Sequence, residues 1–568
     1  MAEENKAAWR LDPAAVAEVN LRYEPDTERF RVVVPPDANI AADTVGKQAR
    51  GPRADHTALI FEDEDGGLNS TTYRELDAAA TRLAVGLRGL GVERGARVAL
   101  HSVQRPETLI AHLACYKLGA IATTISQLTG PDTLGHILAD SGARVIVTQD
   151  RVWDPFRAQR PEFTALESVL VMGEAAADEI PFGELLDTDP GGFTPVATGA
   201  EDPALLVYTS GSTGKPKGIL HAHRILHALN ATLELFYNLE LHEPDLVFWT
   251  AADWAWIGGL NDVVFPALTF GHKLVISQHR FEAEWALKFM GRHGVTHMLL
   301  TPTALKRLAQ VPEARASYGL KLRTIFTGGE SLPGETHRLL TERLGAVCNE
   351  GYGMSEVNQM IGNCQKLRPI KPGSMGWNLP GHRVALVDDE GNEIPDGQVG
   401  EIVVGRDDPT LFLGYWGRPD LAEEMRLGED WLRTRDLASR DSDGYFWYQG
   451  RNDDLIKSAG FRIGPAEVEE ALLQHPAVSD VGVIGVPDTA GDRGMLVKAF
   501  ICLADGEAAS HALADELRAH VKAHLGAYKQ PRVIEFLDEL PTTNTGKVSR
   551  KDLRRRDAEA RVAAETAT

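Results

Sequence analysis

The stretch LLVYTSGSTGKPKG (205–218) joins a run of buried-strand character to a loop of glycine, serine, threonine and lysine. Glycines permit close backbone approach, successive N–H groups form an anion-binding nest, hydroxyls donate further hydrogen bonds and lysine adds charge. Such a loop suits a triphosphate. It is not a Walker A loop, which needs Gly six residues before its Lys and Ser or Thr directly after; Thr209 and Pro216 stand there. Three further residues could do chemistry: Glu356 in GYGMSE (351–356), Asp436 in TRDLASRDSDGY (434–445) and Lys547 in PTTNTGKVSR (541–550). Taken singly, each has a plain alternative: a solvated acid in a turn, an Asp at a strand end, a surface lysine. The Trp-rich run ADWAWIGG (252–259) reads equally as core packing or as the wall of an apolar pocket. His221 and His223 follow the phosphate loop, and a histidine at a helix start is more often structural than catalytic.

The chain that must position these groups has 568 residues, enough for about two to four domains. Hydrophobic residues make up 43% and charged residues 25%, which excludes disorder as the main state. A net charge of −22 opposes the phosphate neutralisation that drives nucleic-acid affinity, so DNA and RNA are excluded as principal partners. Any nucleotide site must then be locally positive or built from backbone amides. Four scattered cysteines, with no C-x-x-C pair, fit neither a disulfide framework nor a zinc site and point to a reducing, cytoplasmic setting. Neither a signal peptide nor a peroxisomal tail is read at the ends. The longest apolar-rich stretch, 246–271, carries Asp253, Asn261 and Asp262, so it reads as buried interior and not as a membrane span.

Thr72 and Glu75 form a capping box, and Leu76, Ala80, Leu83, Leu87 and Leu90 then recur at helical spacing until Gly91. Strand and helix alternate from there, and alternate again between 264 and 347, which predicts an α/β fold: doubly wound, mostly parallel sheets with helices on both faces. Residues 373–448 change to short strands cut by Gly, Pro and Asp turns, a small β-rich subdomain. The expected division is a large domain over 1–452 and a small, mobile α+β domain over 453–568, with a charged tail after Leu553 read as frayed helix.

At this point the motifs resemble those of the acyl-adenylate-forming enzymes. YTSGSTGKPKG, TGGES (327–331), GYGMSE, TRDLASRDSDGY, GRNDDLIKSAGFRIGPAEVE (450–469) and PTTNTGKVSR follow in the family's order over about 340 residues. ADWAWIGG and PAEVEEALLQHPAV (465–478) are most similar to the medium-chain acyl-CoA synthetases. The resemblance implies an AMP-forming acid–thiol ligase. A carboxylate attacks the α-phosphate of ATP to give acyl-AMP and pyrophosphate, and the thiol of coenzyme A then displaces AMP. It further implies that Thr209, Ser210, Gly211, Ser212, Thr213, Gly214 and Lys215 hold the leaving phosphates, that Ser355 touches the α-phosphate and that Glu356 holds Mg²⁺. Gly329, Glu330 and Ser331 would line the adenosine, with Gly351, Tyr352, Gly353 and Met354 beside it and Tyr352 against the adenine. Asp436 would accept both ribose hydroxyls, with Arg451 reaching the ribose or phosphate.

Lys547 would bridge the attacking carboxylate and α-phosphate, and would also be a target for a protein lysine acetyltransferase, since acetylation removes the same charge. Asp453 would be the hinge of the small domain. Ala459, Gly460, Phe461 and Arg462, with Arg493 and Lys529 as weaker candidates, would meet coenzyme A. Gln127, Trp254, Trp256, Ile257, Gly258 and Gly353 would form an apolar acyl pocket. Gly353 stands where acetyl-CoA synthetases carry Trp, which implies an acid larger than acetate: medium-chain fatty, branched, alicyclic or aromatic. Two departures from the pattern are Ser355, where Thr is usual, and Arg435, where Gly is usual. The second reading is a stand-alone ligase loading an acyl carrier protein. A luciferase-like oxygenase and a non-enzymatic binding protein stand further off, the latter because Glu356, Asp436 and Lys547 are intact.

Overall fold

The computed structural model describes residues 11–209, 215–452, 454–458, 461–488, 491, 494–542 and 548–566. Helix Tyr73–Gly89 begins on the Thr72/Glu75 capping box and buries Leu76, Ala80, Leu83 and Leu87, as its spacing predicts. Helices of this kind cover a sheet of eight strands. In it, Pro203–Thr209, Ile121–Ile125, Arg97–His101, Val145–Gln149 and Ser168–Met172 run parallel in that spatial order. Lys217–Ala222 turns back antiparallel on Pro203–Thr209, so the phosphate loop is the connection between two paired strands.

A second sheet has a parallel centre, Thr57–Glu62, Lys273–Ser277, Val247–Thr250, His297–Leu299, Thr324–Gly328 and Val347–Met354. It does not stop there. Val347–Met354 pairs antiparallel with Asn358–Gly362, which pairs with Gly376–Asn378, and through Tyr445–Arg451 and Trp431–Arg440 the ladder reaches Val384–Val387. The β-rich segment expected as a small subdomain of the large domain is a hydrogen-bonded continuation of its main sheet. It keeps an apolar core of its own around Val357, Met360, Ile402 and Phe446. The switch from parallel to antiparallel falls at Val347–Met354, and a switch in strand order opens a crevice at the carboxyl ends of the strands, where ligands bind in such folds.

The apolar stretch after residue 246 forms strand Val247–Thr250 and a buried helical run, Ile257–Thr269, with a π-helical turn at Leu260–Val264. Among the described residues no helix is long and apolar enough to cross a membrane. The carboxyl-terminal unit is a three-stranded sheet, Val478–Pro487, Met495–Leu503 and Val533–Phe536, covered on one side by helices Pro465–Leu473 and His511–Leu525. Helix Arg550–Thr566 covers the other side through Leu553. The tail read as frayed is anchored well past Leu553, because Asp557 and Glu535 pair with the buried ammonium of Lys498 at 2.9 and 2.8 Å.

Candidate active site

A cleft of about 1370 Å³ opens at the sheet switch and is walled by both the large and the small unit. Four segments build it: the foot of the phosphate loop, the Gly351–Glu356 strand end, the bulged strand Trp431–Arg440, and the ends of the loop that carries Lys547. Thr209 and Lys217 face each other across the strand pair that bears the phosphate loop, and Lys215 stands exposed beside them. Ser210, Gly211, Ser212, Thr213 and Gly214 lie outside the described residues, as do Asp453, Ala459, Gly460, Arg493, Lys547 and the side chain of Arg462.

Asp436 does not sit in a strand-end turn. It lies inside strand Trp431–Arg440 at a bulge, where the register against Val399–Gly405 slips between Glu401 and Val403. Arg435 supplies the bend with φ +64°, the left-handed conformation that explains glycine as the usual residue there. Its N–H is held by Glu401 Oε1 at 3.0 Å. The bulge turns the Asp436 carboxylate into the cleft, where Tyr352 donates to Oδ2 at 2.7 Å and Tyr448 donates to Oδ1 at 3.2 Å. Arg451, in register with Asp436, brings a guanidinium nitrogen to 3.9 Å. A carboxylate has about four lone-pair directions and can accept from more than one donor on each oxygen.

Glu356 is buried, and Tyr415 donates to its Oε1 at 2.5 Å. Lys217 lies 4.0 Å above the Tyr415 ring; burial lowers its pKa, while Glu356 opposes the shift. Lys217 and Tyr415 escaped the sequence reading, although Lys217 is the second lysine of KPKG and Tyr415 belongs to the compact GYW run. Among the described residues no group of three or more His, Cys, Asp and Glu could cage a metal. A lone carboxylate beside a phosphate loop still fits Mg²⁺, which keeps its waters and binds through one or two carboxylates plus substrate phosphates.

His221 is not at a helix start. It sits within strand Lys217–Ala222, fully buried, and donates from Nε2 to the Ser355 carbonyl at 2.8 Å. Burial brings its pKa down to about 4, so it is neutral at pH 7. It thus ties the strand leaving the phosphate loop to the turn that carries Ser355 and Glu356.

Several expected site residues have other partners or packing roles as well. Glu330 borders the cleft with Gly329 and Ser331, and its Oε2 accepts from Thr303 N–H and Oγ1, capping the start of helix Pro302–Ala309. Gly351 is a packing glycine: a Cβ there would lie 2.6 Å from the Phe236 ring. Gly353 does not open a pocket, because its Cβ would lie 1.9 Å from the Asn358 carbonyl oxygen. Trp254 is buried in the main core and Trp256 is part-exposed at the start of the Ile257 helix. Gln127 is exposed; its neighbour Ser126 instead donates to part-buried Asp253 at 2.7 Å. Lys529 is ion-paired with Glu467 and half-buried, so it is not a free cation for coenzyme A phosphates. Phe461 stacks on Tyr528 with ring centroids 4.5 Å apart and is not among the cleft residues.

At the expected hinge the partners change over. Asn452 N–H donates to Arg435 O of the large unit at 2.8 Å, whereas Asp454 is ion-paired with Arg550 and Arg554 of the small one. Thr542 and Val548 pair as a β-bridge, and both line the cleft.

Glu350 lies buried at the wall of the cleft, with Oε1 accepting from Leu332 N–H at 3.1 Å. Burial pushes its pKa up to about 8. A carboxyl raised in the folded state lends stability below its unfolded pKa that is lost as pH rises through about 8. Glu350→Gln keeps the acceptor and removes the titration, so it should stabilise the chain by roughly 2–5 kcal/mol at pH 8.5 and much less at pH 5.5. Denaturant midpoints at the two values check this, and an equal gain at both would count against it.

The parallel–antiparallel switch, the glycine-rich loop between paired strands and the carboxylate of Asp436 in one cleft are the arrangement of a ligand-binding α/β enzyme. Residues 45–416 match the family described as AMP-binding enzyme, and residues 467–547 match the AMP-binding enzyme C-terminal domain. An acetyl-coenzyme A synthetase of Bacillus subtilis is 33% identical over 526 residues, covering 91% of this chain and 90% of that one. Human mitochondrial acyl-coenzyme A synthetase ACSM4 is 34% identical, covering 92% and 91%. Among solved structures, the anthranilate CoA ligase AuaEII in complex with anthranoyl-AMP superposes with a TM-score of 0.82 at 31% identity, covering 94% and 99%. A benzoate CoA ligase from Burkholderia xenovorans gives 0.79 at 29%, covering 91% and 99%. The chain belongs to the AMP-binding enzyme family and is an AMP-forming acid–CoA ligase.

Proposed function

We propose that this ligase activates a carboxylic acid larger than acetate as its acyl-AMP and passes the acyl group to coenzyme A; the size follows no longer from Gly353 but from the likeness to the anthranilate and benzoate CoA ligases. The observation that carries the site assignment is the Asp436 bulge, which presents a carboxylate held by Tyr352 and Tyr448 beside Arg451 in the shared cleft. Asp436 takes the ribose hydroxyls, and Lys215, Lys217 and the phosphate loop take the β- and γ-phosphates. Glu356, with Oε1 fixed by Tyr415, would hold Mg²⁺, which when bound neutralises charge on the phosphates. The reaction needs no covalent help from the protein. Positive charge and donors gather where negative charge builds up on the α-phosphate.

Residues Thr542 and Val548 at the cleft, and Phe461 away from it, fit the pose for adenylation, with the Lys547 loop at the α-phosphate. The change of partners between Asn452 and Asp454 supports a hinge at Asp453, about which the small domain turns to bring the 459–462 segment to the cleft. Four buried free cysteines fit a reducing compartment such as the cytoplasm. Acetylation of Lys547 would remove the charge that the first half-reaction uses.

The test is a screen of straight-chain, branched, alicyclic and aromatic acids, measuring AMP released with coenzyme A or with acyl carrier protein. Release with coenzyme A and an acid above two carbons is expected; acetate as the best substrate, or carrier protein as the better acceptor, would overturn the reading.

His221 allows a sharper test. His221→Gln keeps an N–H near the Ser355 carbonyl and should retain adenylation within about tenfold. His221→Leu removes the donor and should lose about 10²-fold in acyl-AMP formation, the scale of one preorganised contact. Equal activity of the two variants would show that the hydrogen bond positions nothing.

A further inference from the structure

Behind the glycine wall of the cleft lies a polar layer that neither the phosphate loop nor the ribose site uses. Asp262 stands on the π-helical turn Leu260–Val264 with no exposed surface. Such turns interrupt the helical ladder and recur at functional sites. Its Oδ2 accepts from Gln359 Nε2 at 3.1 Å, and its Oδ1 has no partner among the described residues. Gln359 Oε1 is unpartnered as well, and so are both polar atoms of the neighbouring Asn261, which is 2% exposed. Leaving a buried polar atom unpaired costs about 1–3 kcal/mol, and this layer leaves several within one helical turn and the strand facing it.

The layer adjoins the cleft. Gln359 is in register with Gly353, a cleft residue, and its Oε1 lies 3.9 Å from where a Gly328 side chain would begin. Asp262 Oδ2 is the nearest atom to the corresponding point at Gly258, also 3.9 Å away, with Leu299 next. Both glycines are part-exposed, and at Gly328 the Gly351 carbonyl oxygen, at 2.7 Å, lies nearer that point than Gln359 does. Because the Gln359 N–H is already given to Asp262, Asp262 Oδ1 and Gln359 Oε1 are left as acceptors. With the donor and acceptor of Asn261 balancing each other in number, the layer has an excess of two unsatisfied acceptors, which calls for a donor.

We propose that the acid this enzyme activates carries a hydrogen-bond donor, a hydroxyl or an amino group, at the end away from its carboxylate, and that Asp262 and Gln359 receive it. The inference rests on the acid-activating reading above and replaces the wholly apolar pocket expected from ADWAWIGG. Burial pushes the Asp262 pKa up to about 7, so a donor arriving there also stabilises the ionised carboxylate. A site built to hydrogen-bond a substrate OH or NH discriminates strongly against the analogue lacking it, since its own buried groups are then left unpaired.

The experiment compares matched pairs of acids of one carbon skeleton, with and without a terminal hydroxyl or amino group. Initial rates of coenzyme A-dependent AMP release are measured on the wild type and on Asp262→Leu and Gln359→Leu. The wild type should favour the donor-bearing member by about 100-fold or more in kcat/KM, and either variant should abolish or invert that ratio while keeping turnover of the unsubstituted acid. A wild type that favours the unsubstituted acids overturns the proposal by itself, even if a variant fails to fold. So does a preference that survives both substitutions. If no acid of either kind yields AMP, the acid-activating reading fails, and this inference with it.

Discussion

Lys547→Ala should lose about 10²–10³-fold in acyl-AMP formation, roughly 3–4 kcal/mol of transition-state stabilisation. Conversion of supplied acyl-AMP to acyl-CoA should continue at close to the normal rate. The asymmetry follows from the proposed hinge: negative charge gathers between the attacking carboxylate and the α-phosphate in the first step only, and in the second a turn of the small domain would carry the lysine away. The loop is rooted at the cleft by the Thr542–Val548 bridge, which suits the first of these poses. Quantifying the two half-reactions separately on the purified variant decides the matter. Retained adenylation, or an equal loss in both steps, would remove Lys547 from the role.

Gly353→Ala should already destabilise the enzyme, and Gly353→Trp should abolish turnover of long and short acids alike. From sequence, Trp at this position is expected to shorten the pocket and shift preference toward acetate. The structure gives a different reason for the glycine. The register of Val347–Met354 against Asn358–Gly362 slips between Tyr352 and Gly353, and the bulge presses the Gly353 Cα against the Asn358 carbonyl. A Cβ at 1.9 Å from a backbone oxygen cannot be relieved by a rotamer change, so the cost exceeds the roughly 1–3 kcal/mol of ordinary overpacking. Melting temperatures of the Ala variant and relative kcat/KM of the Trp variant across acids check this. An Ala variant as stable as the wild type, or a Trp variant folded and specific for acetate, would restore the pocket reading.

What could be read from the chain alone was whatever depends on short-range order. The capping box and leucine spacing of Tyr73–Gly89, the alternation of strand and helix, and the Gly/Ser/Thr/Lys loop after a buried strand each arise from residues a few positions apart. The ordered motifs added the family and, with it, expected roles for Glu356, Asp436 and Lys547. Where a glycine matters by what it touches, sequence could not say. Gly351 and Gly353 look alike in GYGMSE, yet one makes room for Phe236 and the other for the Asn358 backbone.

The fold alone decided the rest, because its determinants are far apart in the chain. The β-rich segment joins the main sheet only through the pairing of Asn358–Gly362 with Gly376–Asn378. Lys529, a free cation on paper, is claimed by Glu467, 62 residues away. His221 reaches Ser355 across 134 residues, and Asp262 reaches Gln359 across 97. In each case a side chain's role is set by which group lies within about 3 Å of it. That distance is fixed by the packing of sheets and helices against one another, not by the spacing of residues along the chain.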